Sequence, residues 1–251
     1  MLYNPFNLEN KTILVTGASS GIGKATAIEC AKLGATVIIT ARNESRLRNT
    51  LESLDTESGQ QHQMILADLT IETDLAKLIE ETPNLDGMSL NAGVVRTVPI
   101  KFIKNEELME VLNTNTLSTF NLIHGLLKKK KINKNASIVF TSSIAGIYTV
   151  SMGNTMYSIS KGALNAFMKN FALEFAAKGI RSNSVNPGMI DTNILTGRLS
   201  TEDLDKNKGL YPLGRYGKPE EVAWAIIYLL SDASSWVTGH TLVIDGGVTL
   251  R

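Results

Sequence analysis

Residues 12–30, TILVTGASSGIGKATAIEC, carry a β-branched apolar run straight into three glycines and then into a segment with helical spacing. Few folds can use that order. Gly17, Gly21 and Gly23 stand as T-G-x-x-x-G-x-G at the junction, where a chain leaving a strand turns into a helix whose first N–H groups lack partners. Glycine lets the backbone turn tightly and approach an anion, and the helix N-terminus offers that anion unpaired N–H groups and a positive dipole end. The junction therefore predicts a dinucleotide cradle made by Gly17, Ser19, Ser20, Gly21, Ile22 and Gly23. The bland alternative, a plain strand-to-helix turn, rarely needs three glycines.

The same alternation runs through the chain. TILVT (12–16), TVIIT (36–40), MILA (64–67), DGMSL (86–90), SIVFT (137–141), RSNSV (181–185) and TLVID (241–245) read as strands. Helical spacing occupies 22–33, 44–54, 72–81, 105–130, 155–178 and 219–231 between them. Near-continuous apolar strands alternating with helices predict an α/β fold, a seven-stranded parallel doubly wound sheet with helices on both faces. With no repeat or linker composition, one domain over 1–251 is expected. The one long connection, 187–218, follows a strand directly and is the candidate substrate cover.

Composition removes other classes. A formal net charge of +1, with 20% charged and 43% hydrophobic residues, offers no field for nucleic acid and no membrane span. One cysteine, Cys30, has no partner for an intrachain disulfide, and the N-terminus lacks signal-peptide character, so a cytoplasmic location is expected. His62, His124 and His240 show no ligand spacing to one another or to Cys30, so no metal site is predicted. The lysine run 128–131 closes a helix, where cations suit the dipole and solvent.

Cofactor choice is legible after the second strand. Enzymes that prefer NAD usually place an acid there for the ribose hydroxyls, whereas this chain has Ala41 and Arg42. A guanidinium can clasp a 2′-phosphate, which predicts NADP(H), with NAD(H) possible if Arg42 is only a solvated helix-start residue. Asp68, in LADLT with Leu69, can accept from an adenine amino group or cap the next helix, and the two roles can coexist.

With these features in hand, the motifs TGASSGIG, LNAG (90–93), TNTLSTF (114–120), SSIAG (142–146), YSISK (157–161), NPGMIDT (186–192), PLGRYGKPEEVA (212–223) and TGHTLVIDGG (238–247) can be taken together. In this order and spacing the chain resembles the short-chain dehydrogenase/reductase family in its compact form, including its 3-oxoacyl-[acyl-carrier-protein] reductase-like members. One departure is Leu90, where the family pattern carries a second asparagine before Asn91.

The resemblance implies a Rossmann fold and hydride transfer between a nicotinamide and a carbonyl or alcohol. It implies Tyr157 as the acid or base, Lys161 beside it, Ser143 at the substrate oxygen and Asn115 in a proton relay. An ordinary tyrosine has a pKa of ~10, so work near neutrality asks for about three units, roughly 4 kcal/mol in favour of the phenolate. A cation ~4 Å away at an effective dielectric near 20 contributes about that much before desolvation takes some back. Ser142 stays a second candidate for the serine's role. Asn115 lies among Asn113, Thr114, Thr116, Ser118 and Thr119, poor or indifferent helix formers inside a helical segment, where the resemblance implies a local distortion and a water linking Lys161 to solvent. By the same resemblance Asn91, Ala92 and Gly93 support the cofactor, while Pro187, Gly188, Ile190 and Thr192 wrap the nicotinamide end.

Val94, Val95, Ala145, Ile147, Met152, Met189 and Leu195 suggest an apolar pocket, and Arg96 either meets an anionic group or faces water. Leu164, Phe167, Phe171 and Phe175 form a stripe for the core or for a subunit interface. Relatives dimerise through this helix, commonly within tetramers, which implies a homodimer or homotetramer. The lysine run resembles the position where acyl-carrier-protein reductases keep docking cations, so a carrier-protein partner stays open beside a small carbonyl or alcohol. Two other readings remain: an NAD-linked sugar, steroid or polyol dehydrogenase, and a nucleotide-binding regulator without chemistry.

Overall fold

The computed structural model describes residues 4–192 and 207–250. Seven strands, β1 (Thr12–Thr16), β2 (Thr36–Ala41), β3 (Gln63–Leu66), β4 (Leu85–Leu90), β5 (Ile132–Thr141), β6 (Arg181–Pro187) and β7 (Thr241–Ile244), form one sheet in the order β3-β2-β1-β4-β5-β6-β7. All six pairings are parallel. The helices are α1 (Gly21–Lys32), α2 (Glu44–Glu52), α3 (Glu72–Glu81), α4 (Asn105–Leu112), α5 (Ser118–Lys128), α6 (Thr155–Phe175) and α7 (Pro219–Leu230).

Period-two alternation along β1 shows why both faces are covered. Ile13 and Val15 join one core with Ala27 of α1, Leu47 of α2 and Ile226 of α7. Leu14, between them, points the other way and joins Leu78 of α3, Leu122 of α5 and Leu164 of α6. Each fully buried Leu or Ile contributes about 1.5–3 kcal/mol relative to exposure. Strand order reverses between β1 and β4, and a doubly wound sheet opens its ligand crevice outside the carboxyl ends of the strands at that point.

The largest departures from the sequence expectation are in β5 and in the segment 105–130. β5 begins at Ile132, five residues earlier than the SIVFT run, because Leu85 N–H donates to the Lys131 carbonyl and Leu85 pairs with Ile132. The register then shifts between Leu85 and Gly87 around Asn135, whose φ is 63°; the polar INKNA stretch carries no strand signal of its own. The single helix expected over 105–130 is interrupted by a π-helical turn, Asn113–Leu117.

Residues 193–206, the middle of the expected substrate cover, lie outside the described residues, and Leu195 with them. Among the described residues no helix is long and apolar enough to cross a membrane.

Candidate active site

The glycine loop leaves β1 with no room for side chains. Gly17 has φ 65°, and a side-chain carbon there would lie 3.0 Å from the Ala92 backbone nitrogen. One at Gly23 would collide with the Gly17 carbonyl oxygen. The loop is thus folded tightly on itself and pressed against the exit of β4, at the switch point. Gly21 sits beside Thr192, whose Cγ2 would be 3.3 Å from an added carbon, so the β6 exit closes the other side.

The start of α1 is open to an anion. Ser20, its N-cap, makes no side-chain cap bond, and the first turn holds no acid. By contrast, α2 is capped by Asn43 and begins with Glu44, and the first turns of α3, α4 and α7 carry acids. Unpartnered N–H groups, a positive dipole end and glycines that exclude Cβ atoms fit a pyrophosphate. The residues present therefore suit the dinucleotide that the sequence implies.

Asn91 is fully used in joining three strands. Its side-chain NH2 donates to the Thr16 and Ser89 carbonyls at 3.2 and 3.0 Å, and its oxygen accepts from Thr141 Oγ1 at 2.6 Å. It ties β1, β4 and β5 together at their carboxyl ends. Leu90, where the family pattern carries another asparagine, is buried in the core.

Lys161 is buried, with Nζ 5.7 Å from the Tyr157 ring centroid and donating to the Thr141 carbonyl at 2.8 Å. A carbon added at Gly93 would lie 3.4 Å from Nζ and 3.3 Å from Asn115 Oδ1, so lysine, asparagine and the LNAG turn meet at one point. Tyr157 is half-buried one turn before the lysine on α6.

Burial lowers the Lys161 pKa to about 8, because a charged amine loses solvation there. The consequence has a definite sign. Below pH 8 both folded and unfolded chains hold this proton, and the cost of burying the cation is present in full. Between pH 8 and the ordinary lysine value of 10.5 only the unfolded chain holds it, so stability rises with pH through that window. In urea titrations, the stability of the parent relative to Lys161→Met should rise by about 2–3 kcal/mol from pH 7 to pH 10.5. An unchanged difference would contradict a desolvated ammonium.

Asn115 is fully buried in the π turn, and its side chain makes three hydrogen bonds. Oδ1 accepts from Val94 N–H at 2.7 Å, while Nδ2 donates to the Val94 carbonyl and to Ser160 Oγ, both at 2.9 Å. The local helix distortion that the family resemblance implies is present, and π turns concentrate at functional sites.

The two serines separate by their partners. Ser142 Oγ donates to the Lys161 carbonyl at 2.9 Å and accepts from Asn165 at 2.6 Å, which occupies it in holding α6 to β5. Among the described residues Ser143 Oγ accepts a local bond, from Ala145 N–H at 3.1 Å, which leaves its hydroxyl proton able to donate to a substrate oxygen.

The β6 exit is held firmly. Gly188 N–H donates to the Ile244 carbonyl, Met189 N–H to Tyr211 Oη, and Asp191 N–H to the Gly217 carbonyl, at 2.9, 3.0 and 2.8 Å. This fixes Pro187, Gly188, Ile190 and Thr192 beside the glycine loop. Beyond the carboxyl ends of β2 and β3, Asp68 accepts from Thr70 N–H and Oγ1 at 2.9 and 2.7 Å, and Arg42 leans on it at 3.6 Å. Desolvation opposes the Asp68 charge, but the Thr70 bonds and Arg42 outweigh it and lower its pKa.

A small cavity beside the loop is lined by Ser19, Ser20, Gly21, Lys24, Arg46 and Asn49. Sequence reading missed its two cations, though the signal was present: Lys24 lies one helical turn after Ser20, and Arg46 one turn after Arg42. Arg96 pairs with Glu107 and Glu110 at 3.4 and 3.0 Å and is thereby drawn to α4. Phe171 and Leu164 are buried, and the rings of Phe120, Phe167, Phe171 and Phe175 contact one another in series, so that stripe belongs chiefly to the core.

A family model described as Enoyl-(Acyl carrier protein) reductase matches residues 17–249. The chain is 36% identical over 247 residues to the 3-oxoacyl-[acyl-carrier-protein] reductase FabG of Thermotoga maritima, covering 97% of this chain and 99% of that protein. It is 35% identical to a tropinone reductase homolog of Arabidopsis thaliana, covering 98% and 94%. Among solved structures, a short-chain type dehydrogenase/reductase from Mycobacterium marinum superposes with a TM-score of 0.87 at 32% identity, covering 98% of each chain. A candidate 2-deoxy-d-gluconate 3-dehydrogenase from Agrobacterium tumefaciens, with bound NADP, gives 0.88 at 29%, covering 99% of this chain and 100% of that one.

Proposed function

The chain belongs to the short-chain dehydrogenase/reductase family of NAD(P)-dependent oxidoreductases, and from that premise we propose that it uses NADP(H) to interconvert a carbonyl compound and a secondary alcohol, with Tyr157 as the acid or base. The observation that carries this reading is the buried Lys161 ammonium 5.7 Å from the Tyr157 ring, at the same end of the sheet as an uncapped, acid-free α1.

When bound, the nicotinamide supplies or accepts the hydride at the substrate carbon. The chain's own residues handle the oxygen. Ser143 donates a hydrogen bond as charge develops there. In reduction Tyr157 gives up its phenolic proton and recovers one from solvent, and Lys161 holds a positive charge beside the phenolate left behind. Asn115 keeps Val94 and the π turn in place around that lysine.

Arg42, with Lys24 and Arg46 near the same loop, supports NADP(H) over NAD(H). The test is a carbonyl and alcohol screen followed by nicotinamide absorbance with each nucleotide in turn. NADPH oxidation by a carbonyl substrate is expected. Nucleotide binding with no turnover across a broad panel would instead favour the regulator.

The names of the relatives favour a second reading, a substrate on an acyl-carrier protein. The lysine run offers that partner less than its sequence promised. Lys129 pairs with Glu80 at 2.8 Å, and Lys131 Nζ donates to the carbonyls of Glu80 and Thr82 at 2.6 Å. Turnover of an acyl-carrier thioester that weakens with salt would support docking at the exposed Lys128 and Lys130, and its absence would end the idea.

Assembly through the α5 and α6 layer is part of the same proposal. Leu117, Phe120 and Leu173 expose apolar side chains there. Light scattering is expected to give a dimer or tetramer, and a monomer would refute it.

A further inference from the structure

Polar side chains gather behind the site, where burial costs them most. Asn186 and Ser184 of β6 are fully buried, and Asn165 of α6 and Ser142 are nearly so. A buried amide or hydroxyl is costly unless it is hydrogen-bonded. The partners of these four make one continuous chain. Asn186 Nδ2 donates to the Ser143 carbonyl at 2.6 Å. Asn186 Oδ1 lies 3.0 Å from Ser184 Oγ, which is also 2.8 Å from Asn165 Oδ1. Asn165 Nδ2 donates to Ser142 Oγ at 2.6 Å, and Ser142 donates to the Lys161 carbonyl at 2.9 Å. The chain therefore ends on the peptide groups of Ser143 and Lys161, two of the residues proposed to handle the substrate oxygen and its proton.

Asn186 stands where the backbone falls short. Ser142 N–H donates to the Val185 carbonyl and Ile144 N–H to the Pro187 carbonyl, at 2.9 and 3.2 Å, so bonding between β5 and β6 runs on past Thr141. Pro187 has no N–H to return. The side chain just before it brings an amide donor to that place and reaches the Ser143 peptide. Stability alone is a poor account of the arrangement. Ser184 has one hydroxyl proton for two amide oxygens, and a network left partly satisfied is worse for a core than apolar side chains.

We propose that Asn186 is a positioning residue: its bond to the Ser143 carbonyl sets the direction in which the Ser143 hydroxyl meets the substrate oxygen. The rest of the chain ties that setting to α6 and Lys161. This rests on the oxidoreductase reading of the same site. Ser143 Oγ has its own anchor in Ala145 N–H at 3.1 Å, so turning the Ser143 peptide would carry the hydroxyl off its target. A misplacement of about 1 Å at reacting groups costs roughly a hundredfold in rate.

The test is a double-variant cycle on the whole chain, with NADPH and the carbonyl compound that the screen turns over fastest. Ser143→Ala should lower kcat by about a hundred- to a thousandfold, as loss of one donor to a developing oxyanion does. Asn186→Ala should lower kcat by about ten- to a hundredfold, with KM for NADPH within about a factor of two. In the Ser143→Ala background the same substitution should cost less than about twofold, because the hydroxyl it directs is gone. A residue that only stabilises the fold would cost the same in both backgrounds. If Asn186→Ala does not fold, Ser184→Ala, which removes one hydroxyl and keeps Asn186, enters the same cycle with the same coupling expected. Equal losses in the two backgrounds, or an unchanged kcat in the folded variant, overturn this inference alone. If Ser143→Ala by itself leaves kcat unchanged, or no carbonyl oxidises NADPH, the functional reading falls and takes the inference with it.

Discussion

Tyr157→Phe should lower kcat by about a hundred- to ten-thousandfold, the range that a positioned general acid contributes, and leave NADPH affinity within about a factor of two. The substitution removes one oxygen and keeps the ring against which Lys161 Nζ lies. Packing of α6 on β5 runs through Ser142, Lys161 and Asn165, so the scaffold should survive. Loss of kcat with unchanged nucleotide binding, measured by single-turnover kinetics and a fluorescence titration, separates a proton-transfer role from a cofactor contact. Turnover within fivefold of the parent would move the acid elsewhere.

Arg42→Glu should have the next largest effect, shifting the ratio of kcat/KM for NADPH over NADH by two to three orders of magnitude toward NADH. Removing a charge-assisted bond worth ~1.5–3 kcal/mol accounts for roughly ten- to a hundredfold. The new carboxylate repels a 2′-phosphate and can accept from ribose hydroxyls, which adds to the shift. In the parent, Arg42 is exposed and its contact with Asp68 is 3.6 Å, an ion pair of the kind worth about 0–1 kcal/mol, so it costs little to turn the guanidinium toward a phosphate. A ratio that stays within threefold would assign that phosphate to Arg46 and Lys24, the cations of the neighbouring cavity. Steady-state kinetics with both nucleotides reads the outcome directly.

What could be read in advance divides along physical lines. Strands and helices buried on a continuous apolar face were legible, because burial imposes periodicity: β1 shows it residue by residue, with Ile13 and Val15 on one side and Leu14 on the other. The amino half of β5 was not, since Asn133 and Asn135 are there for pairing and a backbone irregularity that polar residues permit but do not announce. The glycine loop was legible because a missing Cβ is itself a statement about space, borne out geometrically at Gly17 and Gly23.

Site side chains were legible only as far as their chemistry is rare. Tyr157 and Lys161 could be picked out only with the other motifs beside them, and the burial of the lysine was not legible; Ser142 and Ser143 are identical in sequence and differ only in what they touch, one engaged with Lys161 and Asn165, the other with Ala145 N–H. The spacing around Asn115 read as one continuous helix, and only the family resemblance implied the distortion that the π turn shows. That its amide clasps both peptide groups of Val94 required three dimensions. The aromatic stripe on α6 left core and interface undecided, and only the ring contacts among Phe167, Phe171 and Phe175 assign it chiefly to the core.

The proposed arrangement predicts where a nicotinamide must lie. A crystal structure of the protein with NADP+ and a secondary alcohol should place the alcohol oxygen within hydrogen-bond reach, about 2.6–3.2 Å, of both Tyr157 Oη and Ser143 Oγ, with Lys161 Nζ turned toward the ribose. A nicotinamide end bound away from Tyr157, or an alcohol oxygen that meets neither hydroxyl, would contradict it.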